Sequence, residues 1–486
     1  MTHSKHSPRF WRSLCALALW AASSVVQAQA QRLPPDVTNA LARAKVPQDA
    51  VSLYVARADG VGLPRLSHRA NAQVNPASVM KLVTTYAALD MLGADYTWKT
   101  RFYGDGPVKD GVLLGNLYIQ GGGDPKLVLE RIAATFAALQ ARGVQKVRGD
   151  IVLDHHIFDP VTRDPAEFDG QALSPYNSAP DGLLVNFKSL IFTFTPEPDS
   201  GIVRIRSEPP IADVQIDAQV PLSAKSCADW RGELQADFAD PNRVQFGGSY
   251  PVKCGERVWP VAYTDPASYA RRVLQAMYLG MGGTLTGVVR DGRTPSDAAW
   301  LMDAPSQPLG ELIADVNKFS NNVMAQQMFL TLGLRAAKPG TNPGTFAASR
   351  SAVAAWWPQA IGNDVPVPTL ENGSGLSRDE RISARALGQL LRRAAAHPQA
   401  AVFANSLGIA GVDGTAQRMR ERGLAPESLG NAQLKTGTLR DVASVAGYAT
   451  GRSGQRYVVV GIVNHPLAPA ARPALDALVE WTVKEQ

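Results

Sequence analysis

Two residues near the start of the chain have side chains that could do nucleophilic chemistry together. Ser78 and Lys81 are three residues apart, so on a helix both side chains lie on one face. A serine hydroxyl attacks a carbonyl group only when a base takes its proton, and a partly desolvated lysine can be that base. Taken alone, however, the pair is more typical of an ordinary core helix with a surface lysine.

The residues around this pair predict the start of a buried helix. Asn75 can cap it, and Pro76 suits the first helical position because the N–H that it lacks would be unpaired there. Gly93 can end it. Apolar residues follow at helical spacing, namely Val79, Leu82, Val83, Tyr86 and Leu89.

Two distant stretches change the interpretation of the pair. Ser320-Asn321-Asn322 falls between two predicted helices, and Lys435-Thr436-Gly437-Thr438 precedes a strand-rich end. Ser-x-x-Lys, Ser-x-Asn and Lys-Thr-Gly in this order form the signature of penicillin-binding proteins and class A β-lactamases. The first and third motifs occur once each in the chain. Three motifs in order are far more specific than any one of them.

The residue types of the first two motifs suggest their roles. Ser78 is predicted to attack a carbonyl group and form an acyl-enzyme, with Lys81 as the base, buried between Ser78 and Ser320. Ser320 can relay a proton to the leaving amine, and Asn322 can hydrogen-bond the substrate amide.

The third motif is predicted to hold the substrate. Lys435 supplies a positive charge for a substrate carboxylate, helped by the Thr436 hydroxyl. Gly437 leaves room for the substrate beside the strand. The backbone N–H groups of Ser78 and Thr438 would form an oxyanion hole.

On these motifs the chain resembles the class C, type-4 penicillin-binding proteins, the D-alanyl-D-alanine carboxypeptidase/endopeptidase family of serine peptidases. The 242 residues from Ser78 to Ser320 fit the long insert of that family and exceed the interval in class A β-lactamases. Three further stretches are similar to family sequences: Gly122 to Pro125, Tyr176 to Pro180 and Asn372 to Arg378. Asn372 stands where the family usually has Asp.

The resemblance implies both a fold and an activity. The fold is mixed α/β, a penicillin-binding-protein/β-lactamase-like transpeptidase domain with an antiparallel sheet flanked by helices and a large β-rich insertion. The expected substrate is a peptidoglycan stem peptide ending in D-Ala-D-Ala, and β-lactam antibiotics are expected to bind covalently. The implied activity is that of a serine D-Ala-D-Ala carboxypeptidase that can also act as a DD-endopeptidase. A β-lactamase or esterase on the same fold and a non-catalytic cell-wall-binding scaffold are the alternatives.

The distribution of elements predicts the domain organisation. Residues 31–97 and 290–486 would form the peptidase domain, with a strand at 50–57 and helices from about residue 308 onward. One of these helices is predicted from Val323 to Leu332, with Gly333 as its stop. Residues 98–289 contain many short β-like segments between Gly, Pro and Asp, and are expected to form an inserted region of one or two subdomains.

The N-terminus predicts export. A basic start leads into an apolar run and then into two candidate cleavage sites, at Ala28 and Ala30, so residues 1–28 are expected to be a signal peptide. The expected location is the periplasm. After cleavage Cys227 and Cys254 remain, an even pair that favours a disulfide in an oxidising compartment, with two unpaired buried thiols as the alternative.

Composition excludes several other classes of protein. The chain has 486 residues, of which 45% are hydrophobic and 19% are charged. These fractions are typical of globular proteins and exclude disordered and fibrous proteins. The net charge of +6 is too small to indicate nucleic-acid binding, and three of the basic residues lie in the first twelve positions. No cofactor is expected. No metal is expected either, because adjacent residues such as His155 and His156 would point to opposite sides of a strand and so would not face the same ion.

Overall fold

The computed structural model describes residues 32–336 and 343–485. The predicted signal peptide lies outside these residues. Within them, no helix is long and apolar enough to cross a membrane.

Helices and strands are mixed along the described chain. The α-helices are α1 Pro35–Arg43, α2 Lys81–Leu92, α3 Leu129–Ala141, α4 Trp230–Glu233, α5 Tyr269–Gly280, α6 Leu309–Phe319, α7 Asn322–Ala336, α8 Phe346–Ala360, α9 Ala384–Ala395, α10 Ala400–Asn405, α11 Arg418–Glu421 and α12 Arg472–Lys484. The strands are β1 Val51–Arg57, β2 Leu66–His68, β3 Lys99–Gly104, β4 Val108–Lys109, β5 Val112–Leu113, β6 Leu117–Gln120, β7 Lys146–Val147, β8 Ile151–Asp154, β9 Ser189–Glu197, β10 Ile202–Glu208, β11 Gln215–Ile216, β12 Gln219–Ser223, β13 Ala236–Asp237, β14 Arg243–Phe246, β15 Tyr250–Pro251, β16 Arg257–Ala262, β17 Thr284–Leu285, β18 Val289–Asp291, β19 Ala299–Pro305, β20 Gly408–Ile409, β21 Ala432–Leu439, β22 Val442–Thr450 and β23 Arg456–Asn464.

The sheet that supports the candidate site joins the two ends of the chain. Its six strands run in the order β2-β1-β23-β22-β21-β20, and every neighbouring pair is antiparallel. Successive side chains of β23 alternate between two cores, because neighbours on a strand point to opposite faces. Val458 and Val460 pack with α2 and α9, whereas Val459 and Val463 pack with α1 and α12. The predicted antiparallel sheet flanked by helices is confirmed.

Most of the β-rich middle of the chain packs around a core of its own. This core draws its buried residues only from positions 102 to 304. Four sheets surround it, in the orders β18-β8-β6-β3-β19, β17-β7-β5-β4, β15-β12-β10-β9-β16 and β11-β14-β13. Strand β19 lies beyond residue 289 and pairs with β3. The predicted division of the chain into domains stays a prediction.

A disulfide ties together part of this β-rich region. The structure joins Cys227 to Cys254, as the even cysteine pair predicts. On the chain-entropy view, closing a loop of this size stabilises the folded state by about 3 kcal/mol, because the unfolded chain loses freedom.

Helix α7 differs from the prediction at its C-terminal end. Gly333 is predicted to stop the helix, but it lies inside α7, which continues to Ala336. A Cβ atom at position 333 would come within 2.6 Å of both the backbone nitrogen and the Oγ of Ser349 in α8. The glycine therefore permits close packing of two helices, which a local sequence pattern does not reveal.

We expect Gly333→Ala to destabilise the protein. The added methyl group must displace Ser349, and overpacking of this kind costs about 1–3 kcal/mol. The midpoint of thermal unfolding measures the effect. Gly280→Ala is the matched control, because a Cβ in that helical position meets nothing within 4 Å. An equal midpoint for both variants would contradict the packing role of Gly333.

Candidate active site

Ser78 lies on a tight turn that the structure places just before helix α2. Residues Ala77–Met80 form a 3₁₀ turn and the α-helix begins at Lys81, so the predicted helix starts later than Pro76. Ala77 has a φ of 49°, in the left-handed region that non-glycine residues rarely adopt. Its N–H donates to Oδ1 of Asn75 at 2.9 Å, which helps to hold this conformation.

The last strand of the main sheet fixes this turn. The backbone N–H of Asn75 donates to Oδ1 of Asn464, and Nδ2 of Asn464 donates to the carbonyl of Asn75, both at 2.9 Å. Asn464 is the final residue of β23. The turn that carries Ser78 is therefore held by contacts far along the chain.

Lys81 is completely buried beside Ser78. Its Nζ donates to Oγ of Ser78 at 3.0 Å, to Oδ1 of Asn322 at 2.6 Å and to the carbonyl of Ser374 at 2.5 Å. Burial, assisted by the positive charge of Lys435, lowers the pKa of Lys81 well below its usual value. A lysine in this state can accept a proton from Ser78.

A buried carboxylate, which sequence reasoning missed, acts on the same lysine. Oε1 of Glu380 accepts three backbone N–H groups, from Glu371, Asn372 and Gly373, at 2.8–3.1 Å. Burial raises the pKa of Glu380, and its charge opposes the lowering of the pKa of Lys81. The sequence around it, Ser-Arg-Asp-Glu-Arg, looks like a surface segment, so no local signal marks this acid as buried.

Ser320 contacts the second buried lysine. It ends helix α6 in the left-handed conformation, with φ 59°, and its Oγ accepts a hydrogen bond from Nζ of Lys435 at 2.9 Å. Nζ of Lys435 also donates to the carbonyl of Thr436 at 2.7 Å. Burial lowers the pKa of Lys435 to about 7. Lys81 is expected between Ser78 and Ser320, but its hydrogen bonds go to Ser78, Asn322 and Ser374.

The side chain of Asn322 links Lys81 to the β-rich region. Its Oδ1 accepts from Lys81, and its Nδ2 donates to the carbonyl of Tyr176 at 3.1 Å. Both ends of the amide thus have protein partners. Contact with a substrate amide would have to share or replace one of these bonds.

Strand β21 passes directly beside the Ser78 turn. A Cβ at Gly437 would lie 2.2 Å from Oγ of Ser444 and 3.0 Å from the backbone nitrogen of Ser78. Oγ of Ser444 donates to the carbonyl of Pro76 at 2.6 Å. Only glycine allows the strand to come this close, so Gly437 leaves room for the turn as much as for a substrate.

The two threonines that flank Gly437 have partners on neighbouring elements. Oγ1 of Thr436 donates to Oγ1 of Thr415 at 2.7 Å. Oγ1 of Thr438 accepts from Arg472 at 3.3 Å. Thr415 is another residue that the sequence reasoning missed, because nothing local connects it to Thr436.

The stretch from Asn372 to Arg378 forms the wall behind Lys81. Oδ1 of Asn372 accepts from both the N–H and the hydroxyl of Ser374, and its Nδ2 donates to the carbonyl of Leu376 at 3.0 Å. An ionised aspartate could not make the last bond, because a carboxylate only accepts. Gly375 has a φ of 77°, and a Cβ there would come within 2.0 Å of the Ala77 carbonyl. Asn372 therefore holds a loop that presses on the Ser78 turn.

These residues line or underlie an open cleft of about 1050 Å³. The predicted site residues that line it are Ser78, Ser320, Asn322, Thr436, Gly437 and Thr438. Lys81 and Lys435 lie beneath its floor with no exposed surface. The structure thus brings all eight predicted catalytic and substrate-binding residues into one place.

Other sequence features lie away from this cleft. His155 contacts Asp181 at 2.5 Å and Asp291 at 3.4 Å. Burial is the largest single influence on the pKa of His155 and lowers it, but the two carboxylates together outweigh burial and raise this pKa to about 9. In the described residues, no group of three or more His, Cys, Asp or Glu side chains could hold a metal ion.

Comparison with known proteins agrees with this geometry. The family model described as D-Ala-D-Ala carboxypeptidase 3 (S13) matches residues 33–485. A D-alanyl-D-alanine carboxypeptidase of Actinomadura sp. is 29% identical over 452 residues, which cover 89% of this chain and 81% of that protein. A D-alanyl-D-alanine carboxypeptidase of Haemophilus influenzae is 25% identical over 393 residues, which cover 80% of this chain and 80% of that protein.

Solved structures share the fold. The crystal structure of penicillin-binding protein 4 from Haemophilus influenzae matches with a TM-score of 0.72 at 24% identity, covering 91% of this chain and 99% of that one. A predatory endopeptidase from Bdellovibrio bacteriovorus matches with a TM-score of 0.51 at 14% identity, covering 90% and 93%. The resemblance inferred from the three motifs is confirmed, and the chain belongs to the D-Ala-D-Ala carboxypeptidase 3 (S13) family of peptidases.

Proposed function

We propose that this protein is a serine-type D-Ala-D-Ala carboxypeptidase that works through an acyl-enzyme on Ser78. The observation that carries the proposal is the 3.0 Å contact between Oγ of Ser78 and Nζ of a fully buried Lys81. Because burial lowers the pKa of Lys81, the amine can be neutral at physiological pH and can serve as the base.

Acylation begins when Nζ of Lys81 takes the hydroxyl proton of Ser78. Oγ then attacks the carbonyl carbon of the penultimate D-alanine, and the carbonyl oxygen becomes an oxyanion. The backbone N–H groups of Ser78 and Thr438 receive it, each donor contributing about 3–4 kcal/mol to the transition state. The close approach of β21 at Gly437 supports this pairing of donors from two elements.

The leaving amine needs a proton as the C–N bond breaks. Ser320 can donate its hydroxyl proton and receive another from Lys435, to which it is hydrogen-bonded at 2.9 Å. Free D-alanine then departs, and the acyl group stays on Ser78. Lys81 then passes the proton that it took from Ser78 to solvent, and Lys435 regains one from solvent. A water molecule completes the cycle by attacking the ester, with neutral Lys81 taking its proton and returning it to Oγ of Ser78 as the acid departs.

Lys435, Thr436 and Thr438 would hold the terminal carboxylate of the substrate. An opposite charge raises the pKa of a lysine, so a bound carboxylate would restore the charge of Lys435 that burial disfavours. Asn322 would orient the substrate amide by exchanging its bond to the Tyr176 carbonyl.

The biological substrate would be a peptidoglycan stem peptide that ends in D-Ala-D-Ala. The open cleft has room for a larger leaving group than D-alanine, which supports additional DD-endopeptidase activity on cross-links. β-Lactam antibiotics would acylate Ser78 by the same attack. A periplasmic location would suit this substrate, and the disulfide between Cys227 and Cys254 fits an oxidising compartment.

We expect Ser78→Ala to abolish covalent labelling by penicillin and release of D-alanine from a stem-peptide mimic. The variant lacks the atom that forms the ester, and mass spectrometry of the intact protein detects the adduct. Ser377→Ala is the control, because within the described residues the Ser377 hydroxyl accepts only from the backbone N–H groups of Asp379 and Glu380. A labelled Ser78→Ala protein would refute the assignment of the nucleophile.

The same experiment separates the alternative activities. A carboxypeptidase should stay acylated by penicillin for minutes or longer, whereas a β-lactamase would release hydrolysed penicillin rapidly. A wild-type protein that neither binds penicillin nor releases D-alanine would instead be a non-catalytic wall-binding protein.

The acylation rate constant should depend on pH in two directions. It should fall on acidification, because protonation of Lys81 removes the base, and this fall should lie far below the usual pKa of lysine. It should also fall as pH rises through about 7, where free Lys435 loses its charge. Lys435→Arg keeps a positive charge and should move this alkaline fall to higher pH. Stopped-flow acylation by a chromogenic β-lactam measures both limbs, and an unmoved alkaline limb would contradict the role of Lys435.

A further inference from the structure

Three arginines lie together at one end of the cleft. Arg418 opens the short helix α11, Arg422 immediately follows that helix, and Arg472 is the first residue of α12. All three line the cleft, together with the buried carboxylate of Asp476. We refer to Arg418, Arg422 and Arg472 as the arginine cluster.

The cluster carries more positive charge than its neighbours neutralise. Arg422 forms two hydrogen bonds to the carboxylate of Asp476, at 2.7 and 2.8 Å. The side chain of Arg418 has no hydrogen bond or ion pair within the described part of the chain. Burial, followed by the charges of Arg422 and Arg418, lowers the pKa of Arg472. The nearby charge of Asp476 opposes this lowering, but within the described residues neither Arg418 nor Arg472 forms an ion pair with a carboxylate.

The contacts of Thr436 and Thr438 indicate where the arginine cluster lies relative to the reacting groups. Thr436 donates to Thr415, three residues before Arg418, and Thr438 accepts from Arg472. These are the hydroxyls proposed to hold the terminal carboxylate, and that carboxylate belongs to the leaving group. The cluster therefore lies on the leaving-group side of Ser78.

We propose that the arginine cluster is an anion subsite that binds a second carboxylate on the leaving group. The proposal rests on the function proposed above and deepens it, because it makes an acidic peptide, rather than D-alanine alone, the preferred leaving group. Guanidinium groups recognise carboxylates through paired, charge-assisted hydrogen bonds. The bond changes are those of acylation: the C–N bond breaks and the protonated amine leaves with both carboxylates.

Two peptides with the same acyl part, ending in D-Ala-D-Glu and in D-Ala-D-Gln, test the proposal. The leaving groups have the same shape and differ only in one side-chain carboxylate. For the wild type, kcat/KM should be about five- to tenfold higher for the D-glutamate peptide, a modest factor because the subsite is partly exposed. Raising the salt concentration should reduce this ratio, since salt screens exposed charges.

Arg418→Gln should bring the ratio of the two kcat/KM values to about twofold or less. Arg420→Gln is the matched control, because Arg420 belongs to the same short helix, is exposed and does not line the cleft. This control should keep the wild-type ratio. Penicillin labelling counts the competent active sites in each preparation, so a folding defect cannot imitate the effect.

Two results would overturn the subsite. One is a wild-type ratio near one, and the other is a ratio that Arg418→Gln leaves unchanged or that Arg420→Gln lowers equally. A wild type that takes up no penicillin and cleaves neither peptide would instead defeat the proposed peptidase function. Failure of the subsite and failure of the function are therefore distinguishable.

Discussion

Two lysine side chains buried under one cleft impose the main physical constraint on this structure. Removing an ammonium group from water costs several kcal/mol unless it finds partners or gives up its proton. Lys81 and Lys435 meet this cost with hydrogen bonds and with lowered pKa values, and the nearby carboxylate of Glu380 offsets part of it. The same cost that weakens the fold favours the unprotonated form of Lys81, which can accept a proton, so here reactivity is a product of burial.

The burial of these lysines requires that the Ser78 turn, the loop from Asn372 to Glu380 and strand β21 pack together. Gly375 and Gly437 both lie against the Ser78 turn, and a side chain at either position would collide with the backbone of that turn. The loop before Glu380 closes the back of the site by donating three N–H groups to one carboxylate oxygen. Rigid backbone, rather than flexible side chains, thus sets the distance between nucleophile, base and strand.

Short motifs in the sequence predict one part of the site. Ser78, Lys81, Ser320, Asn322 and the strand from Lys435 to Thr438 are recognisable because residue type and spacing suffice to define their roles. Glu380, Thr415 and the arginine cluster are not, because no local pattern shows which distant residues meet in the folded chain. Gly333 likewise lies beside Ser349 of α8, 16 positions further on, and nothing in the sequence around it reveals that contact.

The paired bonds between Asn75 and Asn464 span 389 positions of the chain. Strand β1 likewise pairs along its whole length with β23. During synthesis, therefore, a chain that ends before these strands contains the serine and its lysine but not the support that makes them reactive. The site is therefore complete only when the C-terminal strands, which bring Lys435 and Asn464, have joined the sheet.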